Sequence, residues 1–365
     1  MIKVLHYVAV MNRAGEETFI MNLFRKMNRN EVMFDFLCSL DERGDYDEEI
    51  LSLGGIVRHI QLNRIKGPIK QIDNAVLLYI YLRKLKREYE AFHIHTQHAM
   101  DAFLSSMAAK CAGFNKVIVH SHSTNTLFHK KAHFLFRPLL RILPITKFAC
   151  SELAGKWMYG KQNFKIVCNG IDTEIFTYDE EVRYKVREKN GWQDRFVVGH
   201  VGSFTYPKNH EFLIDIFEEL VNRIPNAILV LVGKGPLQKK IEKKVSDKNL
   251  ADSVVFLGNR SDIAELNQAM DIFVFPSHYE GLPVTLIEAQ ATGLPCIISD
   301  TVTNEVYITD RIQKCSLKSA AFVWAEQIKN TNLTKEKRTA YSYEISVSGY
   351  DMAKVAQNLK KFYCS

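Results

Sequence analysis

The sequence predicts an α/β protein with two doubly wound parallel sheets, one in each half of the chain. Short apolar runs alternate with longer stretches of helical periodicity, and parallel neighbouring strands require such long connections. The chain has 365 residues, about twice the usual length of one domain. Hydrophobic residues make up 47% and charged residues 24%, so the composition supports a buried core and excludes disorder, collagen and a simple coiled coil.

The first half begins with strand and helix in regular alternation. Its predicted strands are 3–8, 33–38, 56–60, 92–95, 116–120 and 148–151, and its predicted helices are 16–27, 69–88, 99–111 and 126–140. The turn signal Asn169-Gly170-Ile171-Asp172 and a charged helix over 179–189 then predict a domain boundary.

The alternation restarts in the second half. Its predicted strands are 196–201, 227–232, 253–257, 271–275 and 296–299, and its predicted helices are 211–223, 236–248, 262–269, 284–292 and 351–362. We therefore expect one domain over 1–168, a second over 169–345, and a C-terminal segment 346–365 whose helix packs back toward the first domain. Ligands of such sheets bind beyond the carboxyl ends of the strands, so the site is expected in a cleft between the domains.

Charge and cysteine content narrow the class of protein. The formal net charge of +7 suits an anionic partner, whether nucleic acid, a phosphate-bearing metabolite or an anionic lipid surface. The 7 cysteines include no C-x-x-C pair, so neither a disulfide framework nor a structural zinc site is predicted. Apolar runs are far shorter than the roughly 20 residues that cross a bilayer, and the amino terminus enters a strand pattern without a leader, so we expect a cytoplasmic protein.

The most informative stretch contains two glutamates seven residues apart. Glu280 is predicted in a strand-to-helix loop, and Pro283 suits the first turn of the following helix. The amides beside Gly281 and Leu282 would then form an anion site at the helix N-terminus. With Glu288 within that helix, two carboxylates could accept hydrogen bonds from sugar or ribose hydroxyls while the amides hold phosphate oxygens; the alternative is a plain helix start with solvated acids.

This stretch, from Phe275 to Ala289, resembles the family 4 retaining glycosyltransferases, which have two Rossmann-like domains facing across a cleft (the GT-B fold). The bacterial capsule and exopolysaccharide branch is the most similar. The resemblance covers nearly the whole chain and includes Met11 to Thr18, Asn169 to Asp172, Val201 to Phe204 with Lys208-Asn209, Val232 to Leu237, Gly258 to Asp262 and Gly349 to Asp351.

The resemblance implies roles for several residues of the second half. Glu288 would bind the donor ribose, while Glu280 and the amides of Gly281, Leu282 and Pro283 would hold the donor sugar and its phosphate. Lys208 would neutralise the diphosphate, with preorganised donors stabilising the leaving group without a metal or other cofactor.

One departure from the family concerns the diphosphate cations. The family usually has an arginine after the glycine corresponding to Gly202, but this chain has Ser203. Either Lys208 then acts alone with the helix N-terminus, or an arginine such as Arg13 or Arg260 substitutes.

In the first half, the resemblance points to a glycine and a histidine. Gly15 is one of two glycines usual after the first strand and would allow close approach to a phosphate or acceptor. His120, or His122 beside it, would contact the sugar from the end of a strand facing the cleft. His93 and His95 end another strand, but without a third ligand at metal-like spacing we expect structural roles for them.

A basic stretch without acidic residues runs from position 128 to 147. It carries Lys130, Lys131, Arg137, Arg141 and Lys147, interleaved with Phe134, Leu135, Phe136, Leu139 and Leu140. Such a stretch could lie on an anionic lipid surface, although an ordinary solvated helix with its apolar side in the core is an equal alternative.

Together these features predict a retaining, metal-independent glycosyltransferase that moves a sugar from a UDP-sugar to a saccharide acceptor, lipid-linked, in capsule or other surface-glycan synthesis. A nucleotide-sugar epimerase of the same fold and an inactive nucleotide-sugar-binding subunit are the alternatives. Nucleic-acid binding fits the charge, but the sequence contains no recognised binding motif.

Overall fold

The protein is described by a computed structural model that covers residues 1–62, 70–124, 130–333 and 338–365. These residues form two compact units. Unit 1 consists of Met1–Gly170 together with Met352–Ser365, and unit 2 of Ile171–Asp351.

The elements up to residue 170 alternate as β1 (Ile2–Val8), α1 (Gly15–Lys26), β2 (Val32–Cys38), α2 (Asp47–Ser52), β3 (Val57–His59), α3 (Lys70–Leu85), β4 (Ala91–Thr96), α4 (Ala99–Ala112), β5 (Lys116–Ser121), α5 (Lys130–Phe136), β6 (Thr146–Ala149), α6 (Glu152–Tyr159) and β7 (Lys165–Ile166). A 3-10 turn, Arg137–Arg141, continues α5, because Pro138 cannot donate the backbone hydrogen bond of a regular helix. Positions 69 and 126–129 of the predicted helices lie outside the described residues.

The remaining elements are α7 (Glu180–Asn190), β8 (Phe196–Val201), α8 (His210–Val221), β9 (Ala227–Val232), α9 (Gln238–Asp247), β10 (Val254–Gly258), α10 (Ile263–Ala269), β11 (Ile272–Phe275), α11 (Val284–Ala291), β12 (Cys296–Ser299), β13 (Ile312–Cys315), α12 (Ala321–Lys329), α13 (Ala340–Ile345) and α14 (Met352–Cys364). Among the described helices, none combines the length and the apolarity that crossing a bilayer would require.

Unit 1 contains a parallel sheet of order β3-β2-β1-β4-β5-β6-β7. The chain builds outward from β1 in one direction and then returns to place β4 on the other side of β1, which makes the β1/β4 boundary a topological switch point. The register sets His6 beside His93 and His95 beside His120.

The C-terminal helix α14 completes the core of unit 1. It packs against α1, and its buried face carries Met352, Val355 and Leu359 at helical spacing. Near its end, Tyr363 meets the ring of Phe34 edge to face and its hydroxyl lies 2.7 Å from Nδ1 of His93. The last residues of the chain are therefore part of the core made by the first strands.

Unit 2 contains a parallel sheet of order β10-β9-β8-β11-β12-β13, with its switch point between β8 and β11. The first helix of the unit, α7, is held by charge rather than by apolar side chains. Its buried Arg183 and Arg187 both reach the carboxylate of Asp271, with Nη1 of Arg187 at 3.1 Å from Oδ2. Two guanidiniums on one carboxylate satisfy a buried charge that would otherwise be costly.

Candidate functional site

The switch point of unit 2 brings together two loops that follow adjacent strands. The loop after β8 contains Gly202 to Asn209, and the loop after β11 contains Pro276 to Pro283. Because β8 and β11 are parallel neighbours, both loops leave the sheet at the same edge.

The two loops meet in an ion pair between two residues singled out from the sequence. Nζ of Lys208 lies 2.8 Å from Oε1 of Glu280, and the two side chains are only 17% and 12% exposed. The same ammonium lies 4.7 Å from the centre of the Phe275 ring. This partly desolvated pair fixes the Lys208 ammonium and the Glu280 carboxylate at the edge of the sheet, in a setting where electrostatic interactions are stronger than in water.

Further contacts hold the loops together. Asn209 has a left-handed backbone (φ 54°), and its Nδ2 donates to the carbonyl of Pro276 at 3.0 Å. The backbone amide of His278 donates to the carbonyl of Pro207 at 2.8 Å, and the rings of His278 and Tyr206 stack at 4.6 Å. The position of Lys208 relative to Glu280 is therefore set by the backbone on both sides.

Glycines let the neighbouring loops approach this pair. A Cβ at Gly202 would lie 3.2 Å from Cδ of Lys208, so the lysine stem passes directly over that residue. Gly233, at the end of β9, has φ +135°, and a Cβ there would lie 2.2 Å from the carbonyl oxygen of Gly202. A side chain at either position would displace the lysine or its loop.

The helix α11 begins next to the ion pair. Pro283 directly precedes the first helical residue, Val284, whereas the sequence placed it in the first turn of the helix. No described side chain caps the helix. The first amides therefore remain available as donors beside the partly buried Gly281 and Leu282. Further along the helix, burial raises the pKa of Glu288 to about 8, so this carboxyl is mostly protonated at neutral pH.

Two other predicted donor residues form no hydrogen bond to the ion pair among the described residues. Ser203 is exposed, and its hydroxyl lies 3.3 Å from that of Thr205. Arg260 follows β10, two strands from β8, and its Nε donates to Asp262 at 2.8 Å. Its charge is thus engaged locally, which disfavours Arg260 as the substitute for the missing arginine.

Gly15 and His120 belong to unit 1. Gly15 is the first residue of α1, and a Cβ built there would meet no atom within 4 Å. The sequence predicted that His120 faces a cleft. In the structure its side chain is completely buried against Phe19 and Phe148. His122, just after the end of β5, is the partly exposed member of the pair.

His93 and His95 are not the isolated pair that their sequence spacing suggested. Strand pairing adds His6 on one side and His120 and His122 on the other, all on the face of the sheet that α1 and α14 cover. Ring nitrogens of His6, His93 and His95 lie within 4.8 Å of one another, as do those of His95, His120 and His122. The sequence spacing showed no third histidine near this pair, because the residues that approach it in the structure lie on different strands, far apart along the chain.

A polar cavity of about 240 Å³ opens near the carboxyl end of β1 in unit 1. Tyr7, Ser39, Asp101 and Ser105 line part of it. Burial raises the pKa of Asp101, so its carboxyl is more easily protonated than an ordinary aspartate. The cavity offers hydroxyl and carboxyl groups in a size range that suits a small polar ligand.

Comparison with solved structures identifies the fold. The structure superposes on HepE of Anabaena, solved in complex with UDP and glucose, with a TM-score of 0.79 over 99% of both chains at 18% sequence identity. Both units thus have the architecture of GT-B glycosyltransferases.

Sequence comparison gives the family. The family model described as "Glycosyl transferases group 1" matches residues 182–345. The chain is 37% identical over 365 residues to the putative glycosyltransferase EpsF of Bacillus subtilis, covering 96% of this chain and 93% of that protein. It is 25% identical to the UDP-Gal:alpha-D-GlcNAc-diphosphoundecaprenol alpha-1,3-galactosyltransferase of Escherichia coli, covering 84% of this chain and 81% of that protein. The protein belongs to the group 1 glycosyltransferases.

Proposed function

We propose that this glycosyltransferase moves a sugar from a UDP-sugar to a hydroxyl of a lipid-linked saccharide, with retention of the anomeric configuration, in the synthesis of a capsule or exopolysaccharide. The Lys208–Glu280 pair beside the start of α11 carries the proposal, because it places one cation and a set of free amides at a single sheet edge. The donor and acceptor classes are those named for the E. coli relative.

The chemistry required of unit 2 is stabilisation of a leaving diphosphate. The bond from the anomeric carbon to the diphosphate oxygen breaks while a bond to the acceptor oxygen forms on the same face, and the departing phosphate takes the acceptor proton. Lys208 and the α11 amides are placed to offset the charge that develops on that phosphate. Glu280 orients the ammonium and accepts from sugar hydroxyls, so no protein nucleophile is needed.

Glu288 suits a ribose better when it is protonated. A neutral carboxyl both donates and accepts hydrogen bonds, which matches a hydroxyl pair, and it adds no negative charge near the diphosphate. Its raised pKa, about 8, favours that neutral form at pH 7.

On the acceptor side, we assign the sugar contact to His122 rather than to His120, which is buried. The polar cavity of unit 1, with Asp101 and Tyr7, is the proposed subsite for acceptor hydroxyls. Gly15 would let that saccharide or a phosphate approach the start of α1 closely.

The decisive experiment is a transfer assay with a panel of nucleotide-sugars and a lipid-linked N-acetylglucosamine acceptor, the product anomer being read by NMR. We expect transfer from one UDP-sugar with retained configuration. Lys239→Ala, which removes an exposed lysine of α9, is the control for Lys208→Ala. Inverted product would refute the stereochemistry, and conversion of the donor without an acceptor would favour an epimerase, which the comparisons do not support.

Metal independence has its own test. Activity should survive a chelator, since Lys208 and the helix amides supply the positive charge. Loss of activity that magnesium or manganese restores would show that a hard cation takes part at the diphosphate.

We also propose that unit 1 lies on an anionic membrane, where a lipid-linked acceptor resides. Exposed apolar side chains, Phe134 (50%), Leu135 (67%) and Ile142 (71%), stand among exposed Lys130, Lys131 and Arg141. The alternative of a helix with its apolar side in the core holds for Leu140, which is fully buried, and for Phe136, which packs against the core, but not for the three exposed residues. Insertion of the apolar groups and attraction of the cations act together at such a surface.

Co-sedimentation with vesicles tests the membrane surface. Binding should require anionic lipid and weaken with salt, because exposed charges are screened over about 8 Å at physiological ionic strength. Leu135→Glu should abolish it, whereas Ile175→Glu, at a residue of unit 2 that is 55% exposed, should not. Equal recovery with neutral and anionic vesicles would contradict the proposal.

A further inference from the structure

Unit 1 contains a cluster of five histidines, of which the proposed glycosyl transfer uses only His122. That residue could keep one ring nitrogen for the sugar contact while the other binds a ligand. His6 on β1, His93 and His95 on β4, His120 on β5 and His122 just after it all share one face of the sheet. Their rings lie 4.1 to 5.6 Å apart between neighbours. Aromatic side chains surround them, with Phe34 4.2 Å from His6.

Polar nitrogens in the cluster lack partners, which is costly in a core. Both ring nitrogens of His120 are buried without a hydrogen-bond partner among the described residues, as is Nδ1 of His122. A buried polar group without a partner is unfavourable, but His210 of unit 2 also has two such nitrogens, so orphaned nitrogens alone do not mark a ligand site. What sets His120 and His122 apart is that a third ring, that of His95, lies close enough for one ligand to contact all three.

We propose that His95, His120 and His122 bind a transition-metal ion, zinc being the best match, in a site separate from the Lys208–Glu280 pair. One ring nitrogen of each lies within 4.8 Å of the others. Zinc–nitrogen bonds of about 2.0–2.1 Å in a tetrahedron require a nitrogen spacing of roughly 3.4 Å, which modest ring rotation would reach. Imidazole is a ligand that zinc, copper and nickel all accept.

The triad His6, His93 and His95 is the weaker site. Each triad contains one ring-to-ring contact of 2.9 Å, from His95 to His6 in one and from His95 to His122 in the other. In the weaker triad, however, Nδ1 of His93 is already engaged by the Tyr363 hydroxyl at 2.7 Å. All three residues are fully enclosed, whereas the partly exposed His122 gives its own triad an access route. A water, hydroxide or small anion would fill the fourth position, as in three-histidine zinc sites.

Metal analysis of the full-length protein tests the inference. The protein is stripped with a chelator, dialysed against one equivalent of zinc or cobalt, and assayed for bound metal and for the visible absorption of tetrahedral cobalt. We expect one ion per chain and intense cobalt bands. His120→Phe should lose the bound metal and the cobalt bands. The control His210→Phe should keep both. His210 is a buried histidine of unit 2 whose two ring nitrogens also lack partners, but it belongs to none of the three-ligand groups among the described residues.

A second variant guards against misfolding of His120→Phe. His122→Gln alters the partly exposed ligand, and circular dichroism verifies its fold. We expect its zinc affinity to fall at least tenfold. The inference is overturned if wild type binds no more than His120→Phe, or if folded His122→Gln binds zinc as tightly as wild type.

Discussion

The two sheets share the same switch-point topology but place opposite chemistry there. Between β8 and β11 of unit 2, the loops carry Lys208 and Glu280 as a charged pair that is still 17% and 12% exposed. Between β1 and β4 of unit 1, the strands carry His6, His93 and His95 as neutral, enclosed rings.

The difference shows that position on the strand decides the chemistry. The charged groups of unit 2 lie in loops beyond the strand ends, where each has residual solvent and an opposite charge beside it. The histidines of unit 1 lie on the strands themselves, where burial lowers the pKa of His6 to about 3. The same topology therefore places an ion pair at the switch point of one unit and a set of neutral histidine rings at that of the other.

The largest effect on transfer is expected from removing the charge of Lys208 or of Glu280. Lys208→Ala should lower kcat/KM for transfer by about 10³, and Glu280→Gln by about 10², as loss of one preorganised charged contact commonly does. Steady-state kinetics and donor titration by calorimetry measure both, with Lys239→Ala near wild type. Ser203→Arg, which adds back a cation, should bind donor as tightly or more tightly. If Lys208→Ala binds the UDP-sugar like wild type, Lys208 does not hold the diphosphate.

The pH dependence of donor affinity distinguishes the role of Glu288 from that of the Lys208–Glu280 pair. Donor affinity should fall about tenfold from pH 7 to pH 9 as this carboxyl, whose pKa is about 8, loses its proton and gains a charge near the diphosphate. In Glu288→Gln the affinity should be flat over that range.

The same carboxyl predicts a pH effect on stability. Because its folded pKa lies above the unfolded value of 4.5, the folded state holds the extra proton, and this contribution to stability is lost as pH rises through 8. Glu288→Gln should therefore unfold at a higher temperature than wild type at pH 9, and identical pH profiles would refute this role.

The loop packing beneath Lys208 is tested by stability. Gly233→Ala should cost about 3 kcal/mol or more, because its Cβ would meet the Gly202 carbonyl oxygen at 2.2 Å and its backbone has φ +135°. Gly191→Ala also has a positive φ, +68°, but open space around it, and should cost only about 1 kcal/mol. Urea denaturation of the two variants measures the difference, and equal costs would mean that the loop can shift.

Acid should destabilise the wild-type protein through the histidine cluster of unit 1. The folded pKa values of His6 and His122, both about 3, lie below the unfolded value of 6.5, so the unfolded state binds more protons and stability falls as pH drops below 6.5. His120→Phe removes one such ring. Its melting temperature should therefore fall less between pH 7 and pH 5 than that of wild type. Glu16 and Glu288, whose raised pKa values act in the opposite direction, are common to both proteins. A control, His278→Phe in unit 2, should follow wild type, and parallel curves for all three would exclude the cluster as the cause.

The smallest effect is expected at Gly15. Gly15→Ala should change the free energy of unfolding by less than about 1 kcal/mol, because a Cβ there meets nothing within 4 Å. Any loss of transfer would then report on close approach of a substrate and not on folding. Unchanged kinetics would remove Gly15 from the proposed site.

Most of the regular elements could be predicted from the sequence, because buried parallel strands and amphipathic helices leave strong periodic patterns. The ranges 196–201, 227–232 and 296–299 agree with β8, β9 and β12. The edge strand β13 and the helices α12 and α13 were not predicted. In β13 the middle positions, Gln313 and Lys314, are exposed and polar, so no continuous apolar run marks it.

The candidate sites were predictable to different degrees. Glu280 and Lys208 could be singled out because each follows a strand in a motif, although their direct contact could not be read from positions far apart in sequence. The histidine cluster was missed, since β1, β4 and β5 each contribute only one or two members and only strand order unites them. His120 was expected to face a cleft, because its place near a strand end does not reveal that Phe19 and Phe148 enclose it.

The discontinuity of unit 1 imposes an order on biosynthesis. A ribosome makes the seven strands of unit 1 first, but the helix that covers Phe34 and His93 is encoded after the whole of unit 2. At about 5–20 residues per second, the first-made half waits many seconds with part of its apolar face uncovered, while unit 2 can complete its own core. The half synthesised first is therefore the half that folds last. A nascent chain that lacks only α14 would have a complete unit 2 and an incomplete unit 1.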